Sequence, residues 1–408
     1  MESENKNFKI SEGRPVRVLY SFPLRIGAGR VATTAWYQVK GLVDAGADVT
    51  IFPAASSKPL PAETRPTLAR GKLRIPNRLL GRLAYGAWHD RIAARRLEAM
   101  PRAFDIVHTW PIGALETLKT ARRIGLPTVL ERCNAHTRFA YDVVNRECER
   151  IGVPLPAGHE HAWNRKILSK EEQEYRQTFR LLCPSDFVVK SFLAQGFAPE
   201  KLVRHIYGFD ETMFFPENRP MNPECGLTTL FAGVCAVRKG LHYALEAWLK
   251  SSACRDGTFL IAGEFLPAYE KKLSQLLAHP RVKKLGRRND LPELMRASDI
   301  LVLPTVEEGS ALVTYEARGS GCVLLVSEAA GAVCEHMSNA LVHPVGDVAT
   351  LAQHFTMLAD DRSLLERFRI ASLNTANEIT WTAASRKLLA VYREVIAAHQ
   401  NQDVRVAA

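Results

Sequence analysis

Two glutamates, Glu308 and Glu316, bracket the segment EGSALVTYEA, which follows the short apolar run at 300–304. A carboxylate beside a glycine on a strand-to-helix loop, with the amides of Ser310, Ala311, Leu312 and Val313 opening the helix, suits a phosphorylated ligand. The amides and the positive end of the helix face the anion. Glu316, inside the helix, is a second carboxylate, and both can accept hydrogen bonds from sugar hydroxyls. The alternative, helix-start and surface charges only, is opposed by the agreement of spacing, preceding strand and glycine. Arg238, Lys239 and Gly240 end a comparable strand-and-loop run, FAGVCAVRKG at 231–240. Cations fixed there would meet the negative charge that develops on a leaving diphosphate, without a metal.

A third loop carries Gly27 and Gly29 in the run GAGRVA at 27–32. The run satisfies the G-x-G-x-x-A form of a dinucleotide fingerprint. The strand before it is read as 16–22, several residues short of the glycines, and the next strand ends at Phe52-Pro53 with no acidic residue to hold a ribose hydroxyl. An NAD oxidoreductase is therefore not the expected class. Glycines still allow close backbone approach to a phosphate or a sugar, so Gly27 and Gly29 are kept as donor-binding candidates.

The elements that must position these loops alternate regularly. Short β-rich runs at 16–22, 48–52, 104–109, 127–131 and 180–183 are separated by helical stretches at 32–45, 114–124 and 187–195. After a Pro- and Asn-rich stretch at 208–222 the alternation restarts, with strands at 228–232, 258–262, 282–285, 300–304 and 323–326. Helices are read at 241–250, 269–277, 291–297, 312–319, 348–358 and 383–398. Such alternation builds parallel sheets covered by helices on both faces. The expected fold is α/β, with two Rossmann-like doubly wound domains facing each other across a cleft. The expected division is 1–212 for acceptor binding, 213–382 for donor binding, and 383–408 as a terminal helix and tail.

Composition agrees with a globular chain: of 408 residues, 47% are hydrophobic and 24% charged. Residues 1–15 lack the apolar core of a secretory signal, and no stretch approaches the roughly 20 apolar residues of a membrane span. The eight cysteines are scattered, with no C-x-x-C pair or Cys/His cluster at ligand spacing, which fits reduced thiols in a cytoplasm. The net charge of +11 points to a polyanionic partner. Much of it is concentrated in Arg65, Arg70, Lys72, Arg74, Arg78, Arg82, Arg91, Arg95 and Arg96, interleaved with Leu79, Leu80, Leu83, Tyr85, Trp88 and Ile92. That pattern fits either the solvated face of a core-packed helix or a basic amphipathic helix on an anionic membrane, through residues 70–96.

The segment from Glu308 to Glu316 resembles the E-x7-E segment of family 4 glycosyltransferases. The glycine-ended strand, loop and Lys-Gly at 231–240 resemble the family's diphosphate-neutralising loop, with Val234 standing where the family often has arginine. The strand at 127–131 followed by His136-Thr137 resembles the family's strand and His-Thr, although Arg132, Cys133 and Asn134 lengthen the loop. Gly208-Phe209-Asp210, Gly319-Ser320-Gly321-Cys322-Val323 and Trp381 resemble further family segments, the second without its usual proline. The resemblance implies the GT-B fold and sugar transfer from a nucleotide-sugar donor, with retention of anomeric configuration and no metal or other cofactor. The acceptor would be a glycan or a lipid-linked sugar, in polysaccharide or glycolipid synthesis; nucleic acid is not an expected partner. It implies His136 and Glu308 as catalytic residues, with His108 a rival histidine. Arg238, Lys239, residues 310–313 and Glu316 would bind the donor. The expected place is the cytoplasm, with peripheral contact at the inner face of the membrane if residues 70–96 form the membrane-binding helix. Other classes are a donor-binding protein without transfer, a GT-B epimerase, or a phosphorylase, which would need a lysine bearing pyridoxal phosphate.

Overall fold

The computed structural model describes residues 14–29, 31–71, 73–217 and 226–407. Arg30 of the GAGRVA run, Lys72, Cys225 (one of the eight cysteines), residues 1–13 and the end of the Pro- and Asn-rich stretch lie outside these. The chain forms β1 (Arg17–Ile26), β2 (Asp48–Ser56) and β3 (Glu63–Thr64), then a hairpin of β4 (Ala69–Arg70) and β5 (Leu73–Arg74). There follow β6 (Ile106–Thr109), β7 (Thr128–Glu131), β8 (Arg180–Cys183) and β9 (Leu202–Arg204). Apart from the hairpin these make a seven-stranded sheet in the order β3-β2-β1-β6-β7-β8-β9. The second sheet takes β10 (Thr228–Ala232), β11 (Thr258–Ala262), β12 (Val282–Lys284), β13 (Ile300–Leu303), β14 (Val323–Ser327) and β15 (Ala340–His343). Its order is β12-β11-β10-β13-β14-β15, and its pairs are parallel throughout. Every residue of β13 and β14 is buried, as expected of strands with helices on both faces. The doubly wound α/β fold expected from the alternation is the observed one.

Helices used below are α1 (Val31–Asp44), α2 (Asn77–Glu98), α3 (Leu115–Arg123), α4 (Thr137–Ile151), α5 (Arg165–Gln177), α6 (Asp186–Leu193) and α7 (Leu241–Lys250). By contacts the chain falls into two compact units, Met1–Val129 with Leu389–Ala408, and Leu130–Leu388.

In the first unit β1 continues past the expected end at residue 22. Its register with β2 shifts between Phe22 and Arg25, at Pro23, and then resumes to Ile26. Proline lacks the N–H that would continue the ladder, which is why the strand looks finished in sequence. Gly27 and Gly29, at φ of 74° and 97°, therefore stand in the turn directly between β1 and α1. Asp90 of α2 is buried and accepts the amides of Glu116 and Thr117 at 2.8 and 2.9 Å, capping α3. Near the chain's end, Tyr392 meets His108 Nδ1 at 2.6 Å, so the rival histidine carries a buried structural bond.

Candidate functional site

The second sheet reverses its winding between β10 and β13, and ligands of open α/β sheets lie beyond the carboxyl ends of strands at such a point. The loop after β10 ends in the turn Val237–Lys239 and then Gly240, whose φ is 69°. A Cβ on Gly240 would stand 1.9 Å from the Pro304 carbonyl oxygen, so only glycine lets the two loops meet. Past β13, the Val306 amide and the Thr305 hydroxyl both donate to the Arg238 carbonyl, at 2.9 and 2.7 Å. The cation loop and the glutamate loop are thereby fastened together at the backbone.

Four charges meet there. Lys239 pairs with Glu308, and Arg238 Nη1 lies 3.0 Å from the same Glu308 oxygen, Oε2. Arg238 Nη1 also donates to the Glu307 carbonyl at 2.8 Å and lies 3.3 Å from its carboxylate. Burial would raise both carboxyls. Arg238 and Lys239 outweigh it at Glu308, holding it below the usual carboxylate range. At Glu307 the His161 ring, Arg238 and the Ala135 amide hold the group at about 2. Both acids are therefore ionised, and the two carboxylates and two cations balance one another. Arg238 and Lys239 are the two cations of this cluster; Val234, where the family often has arginine, points to solvent, 43% exposed.

The helix Leu312–Gly319 opens beside this cluster with no side-chain cap. Of the four amides expected to face an anion, that of Ala311 donates to the Ala330 carbonyl at 3.1 Å. Those of Ser310, Leu312 and Val313 meet no protein acceptor among the described residues. The Ser310 hydroxyl is engaged with Tyr315 and the Gly331 carbonyl at 2.7 and 2.8 Å. Glu316 is half-buried, and its carboxylate has no hydrogen bond or ion pair among the described residues. Burial alone pushes it up to about 7.

The loop after β7 joins the site from the other half of the same unit. A Cβ on Gly309 would lie 1.7 Å from the Cys133 carbonyl oxygen, and the Ala135 amide donates to Glu307 Oε1 at 3.1 Å. His136, the next residue, caps α4 by accepting the Arg138 amide at 3.2 Å. Its ring packs among Tyr175, Phe192 and Phe197 at 5.0–5.6 Å between centroids. Burial, with Arg132 and Arg138, holds it down at about 3, so it is a neutral imidazole. Of the residues named from sequence, the structure brings Arg238, Lys239 and Glu308 together. Sequence spacing does not single out Glu307 or His161, whose Nε2 lies 3.1 Å from Glu307 Oε2. The only sequence signal for Glu307 is its place beside Glu308; the loop GVPLPAGHEH at 152–161 offers none for His161.

A second buried polar group ties α4 to α7. Glu147 accepts from His242 Nε2 at 2.8 Å and from the Tyr243 hydroxyl at 2.6 Å, and pairs with Arg150 at 2.8 Å. Burial would raise Glu147, but Arg150, His242 and Tyr243 hold it down at about 2.

In the first unit, Gly27 and Gly29 form the β1–α1 turn, closed by the Gly27 amide on the Ala32 carbonyl at 2.9 Å. The basic segment divides into two faces. Leu80 and Ile92 pack against buried Ala54, Leu68 and Tyr85. Leu73, Leu79 and Trp88 are 80%, 72% and 43% exposed, among exposed Arg70, Arg74, Arg78, Arg82, Arg91 and Arg95. None of these six arginines has an acidic partner among the described residues: Asp90 is buried as a cap, and Glu98 pairs with Arg123. Arg65 pairs with Glu63, and Arg96 donates to the Arg65 and Pro66 carbonyls. Among the described residues no His, Cys, Asp or Glu group could hold a metal, and no helix is long and apolar enough to cross a membrane.

A family model described as Glycosyltransferase Family 4 matches residues 31–208, and one described as Glycosyl transferases group 1 matches residues 226–361. The UDP-Gal:alpha-D-GlcNAc-diphosphoundecaprenol alpha-1,3-galactosyltransferase of Escherichia coli is 27% identical over 136 residues, 32% of this chain and 34% of that protein. The N,N'-diacetylbacillosaminyl-diphospho-undecaprenol alpha-1,3-N-acetylgalactosaminyltransferase of Campylobacter jejuni is 30% identical over 118 residues, 28% of this chain and 31% of that protein. The matches thus span about a third of these curated relatives' length. Among solved structures, Anabaena Alr3699/HepE in complex with UDP-glucose is similar in fold, with a TM-score of 0.62 at 16% identity over 93% of this chain and 99% of that one.

Proposed function

Because this chain belongs to the family 4 glycosyltransferases of GT-B fold, we propose that it moves a sugar from a nucleotide-sugar donor to a glycan or lipid-linked acceptor, with retention of configuration. The observation that carries the reading is the meeting of Arg238, Lys239 and Glu308 at the switch point of the second sheet, beside open amides at the start of a helix. In this reading Lys239 and the amides of Ser310, Leu312 and Val313 take the diphosphate, with Arg238 adding positive charge beside them. Glu316 takes hydroxyls of the nucleoside, and Glu308 faces the sugar. Both Glu307 and Glu308 are held in charge pairs, which suits electrostatic support better than covalent attack. The leaving phosphate then receives the acceptor's proton on the front face, and no metal is required.

The exposed arginines and apolar side chains of the β4–β5 hairpin and α2 support a second part of the reading. They seat the enzyme on an anionic membrane, at its cytoplasmic face, where a lipid-linked acceptor would be met.

Thermal-shift titration with UDP, other nucleoside diphosphates and their sugars tests the central claim, since a ligand of the native state raises the melting temperature by mass action. One nucleoside diphosphate should stabilise the wild type. Lys239→Ala should remove most of that shift, and Arg238→Ala part of it. Equal shifts in all three proteins would place the phosphates elsewhere.

A further inference from the structure

Arg238 and Lys239 look equivalent in sequence and are not equivalent in their bonding. Lys239 has one acidic partner, Glu308. Arg238 Nη1 has three acceptor oxygens, two of them on Glu307: its carbonyl at 2.8 Å and its carboxylate at 3.3 Å. Glu307 is in turn fully buried and held from elsewhere, by the Ala135 amide and His161 Nε2, each at 3.1 Å. An arriving anion can draw Lys239 away by breaking one pair. Drawing Arg238 away would strip a buried carboxylate of its cation, which is costly in a low-dielectric setting.

We propose that Glu307 is a positioning residue that ties Arg238 to the loops of the first half of the chain, so that a donor diphosphate displaces Lys239 alone and Arg238 stays to hold Glu308. The inference rests on the donor-binding reading above. It gives Glu307 a part that neither the E-x7-E spacing nor the cation pair describes. It also assigns the sign of its effect on binding: the Glu307 charge opposes the diphosphate twice, by direct repulsion and by occupying Arg238. A buried carboxylate with a merely supporting role would have the opposite sign, since its loss would loosen the site and weaken every ligand.

The test is a double-mutant cycle on UDP affinity, read by calorimetry in wild type, Glu307→Gln, Lys239→Ala and the double variant. Glu307→Gln should bind UDP about three- to tenfold more tightly, because it removes one charge close to the phosphates. Lys239→Ala should cost about thirtyfold or more in the wild-type background and less than about fivefold beside Glu307→Gln, where Arg238 is free to take its place. Wild-type binding with an additive cycle, or with weaker binding by Glu307→Gln, overturns this inference alone. A wild type that ignores UDP overturns the donor reading for that nucleotide and this inference with it. Should Glu307→Gln not fold, His161→Ala, which removes one anchor of Glu307, is read in its place. It should again soften the effect of Lys239→Ala, and an unchanged thirtyfold cost would count against the proposal.

Discussion

Glu308 and Glu316 are both glutamates near one helix start, yet their surroundings differ in kind. Glu308 shares one oxygen between two cations, whereas Glu316 is half-buried and unpaired. Glu308→Gln should leave UDP affinity within about threefold, since the amides and Lys239 remain. It should slow transfer roughly a hundredfold, about 3 kcal/mol of lost charge stabilisation in the transition state. Undiminished turnover would remove Glu308 from the mechanism, and product anomers read by NMR test retention in the same assay. Glu316, lifted to about 7 by burial, behaves oppositely. A carboxyl raised in the folded state stabilises fully below its unfolded pKa, near 4.5, and loses that contribution as pH rises through 7. Glu316→Gln should therefore gain stability at pH 8, on the order of 2–3 kcal/mol, with little gain at pH 4.5. It should weaken UDP at the same time, because one of the two acceptor oxygens becomes an NH2 donor and the charge that strengthens the bond to a hydroxyl is lost. Melting curves at the two pH values check the first claim and calorimetry the second. His136 belongs to the same scale: family likeness singled it out, and the fold shows a neutral helix cap in an aromatic box. Glu307 escaped because adjacency to Glu308 offers two carboxylates for one position. Only the folded loop separates the one that faces inward to Ala135 and His161 from the one that faces the cations.

At the scale of elements, strands were the most legible part. β7, β8, β10, β11, β13 and β14 fall within a residue of the apolar runs read for them, because strands buried on both faces are continuous in sequence. Helices were less so. In α5 the buried positions are Leu168, Glu171, Glu174 and Tyr175, so half of its inner face is acidic and no apolar period announces it. The charge pattern of α2 suits either a core-packed or a membrane-facing helix; in the fold one face packs against buried side chains and the other is exposed and basic. After a break at Gly81, whose φ is 72°, residues 84, 88, 91, 95 and 98 recur at helical spacing on the exposed side. Each arginine near an anionic surface contributes about 1 kcal/mol. The protein should therefore pellet with vesicles of phosphatidylglycerol at low salt and be released as salt rises. Neutralising Arg82, Arg91 and Arg95 together should abolish pelleting, and Trp88→Ser should weaken it without changing how steeply binding falls with salt. Pelleting indifferent to the arginines would refute the charge-driven contact.

For the molecule as a whole, acid is the informative stress. Glu147 and Glu307 are each held at about 2, more than two units below an ordinary glutamate. Groups so depressed stabilise the fold above pH 4.5 and lose that contribution as pH falls towards 2, on the order of 3 kcal/mol each. The melting temperature should fall steeply across that window. The deficit of Glu147→Gln against the wild type, large at pH 7, should shrink as pH approaches 2; a deficit constant with pH would show that the α4–α7 contact is held by packing and not by its charge. The division of the chain has a different consequence. The first contact unit takes its strands from residues before 130 and its closing helix from residues after 388, with Tyr392 bonded to His108 across 284 positions. On the ribosome, β1, β2 and β6 must wait, with the surface that meets Tyr392 uncovered, until the whole intervening unit has been synthesised. At roughly 5–20 residues per second that wait is tens of seconds, so this unit is completed only after the unit that interrupts it has been made.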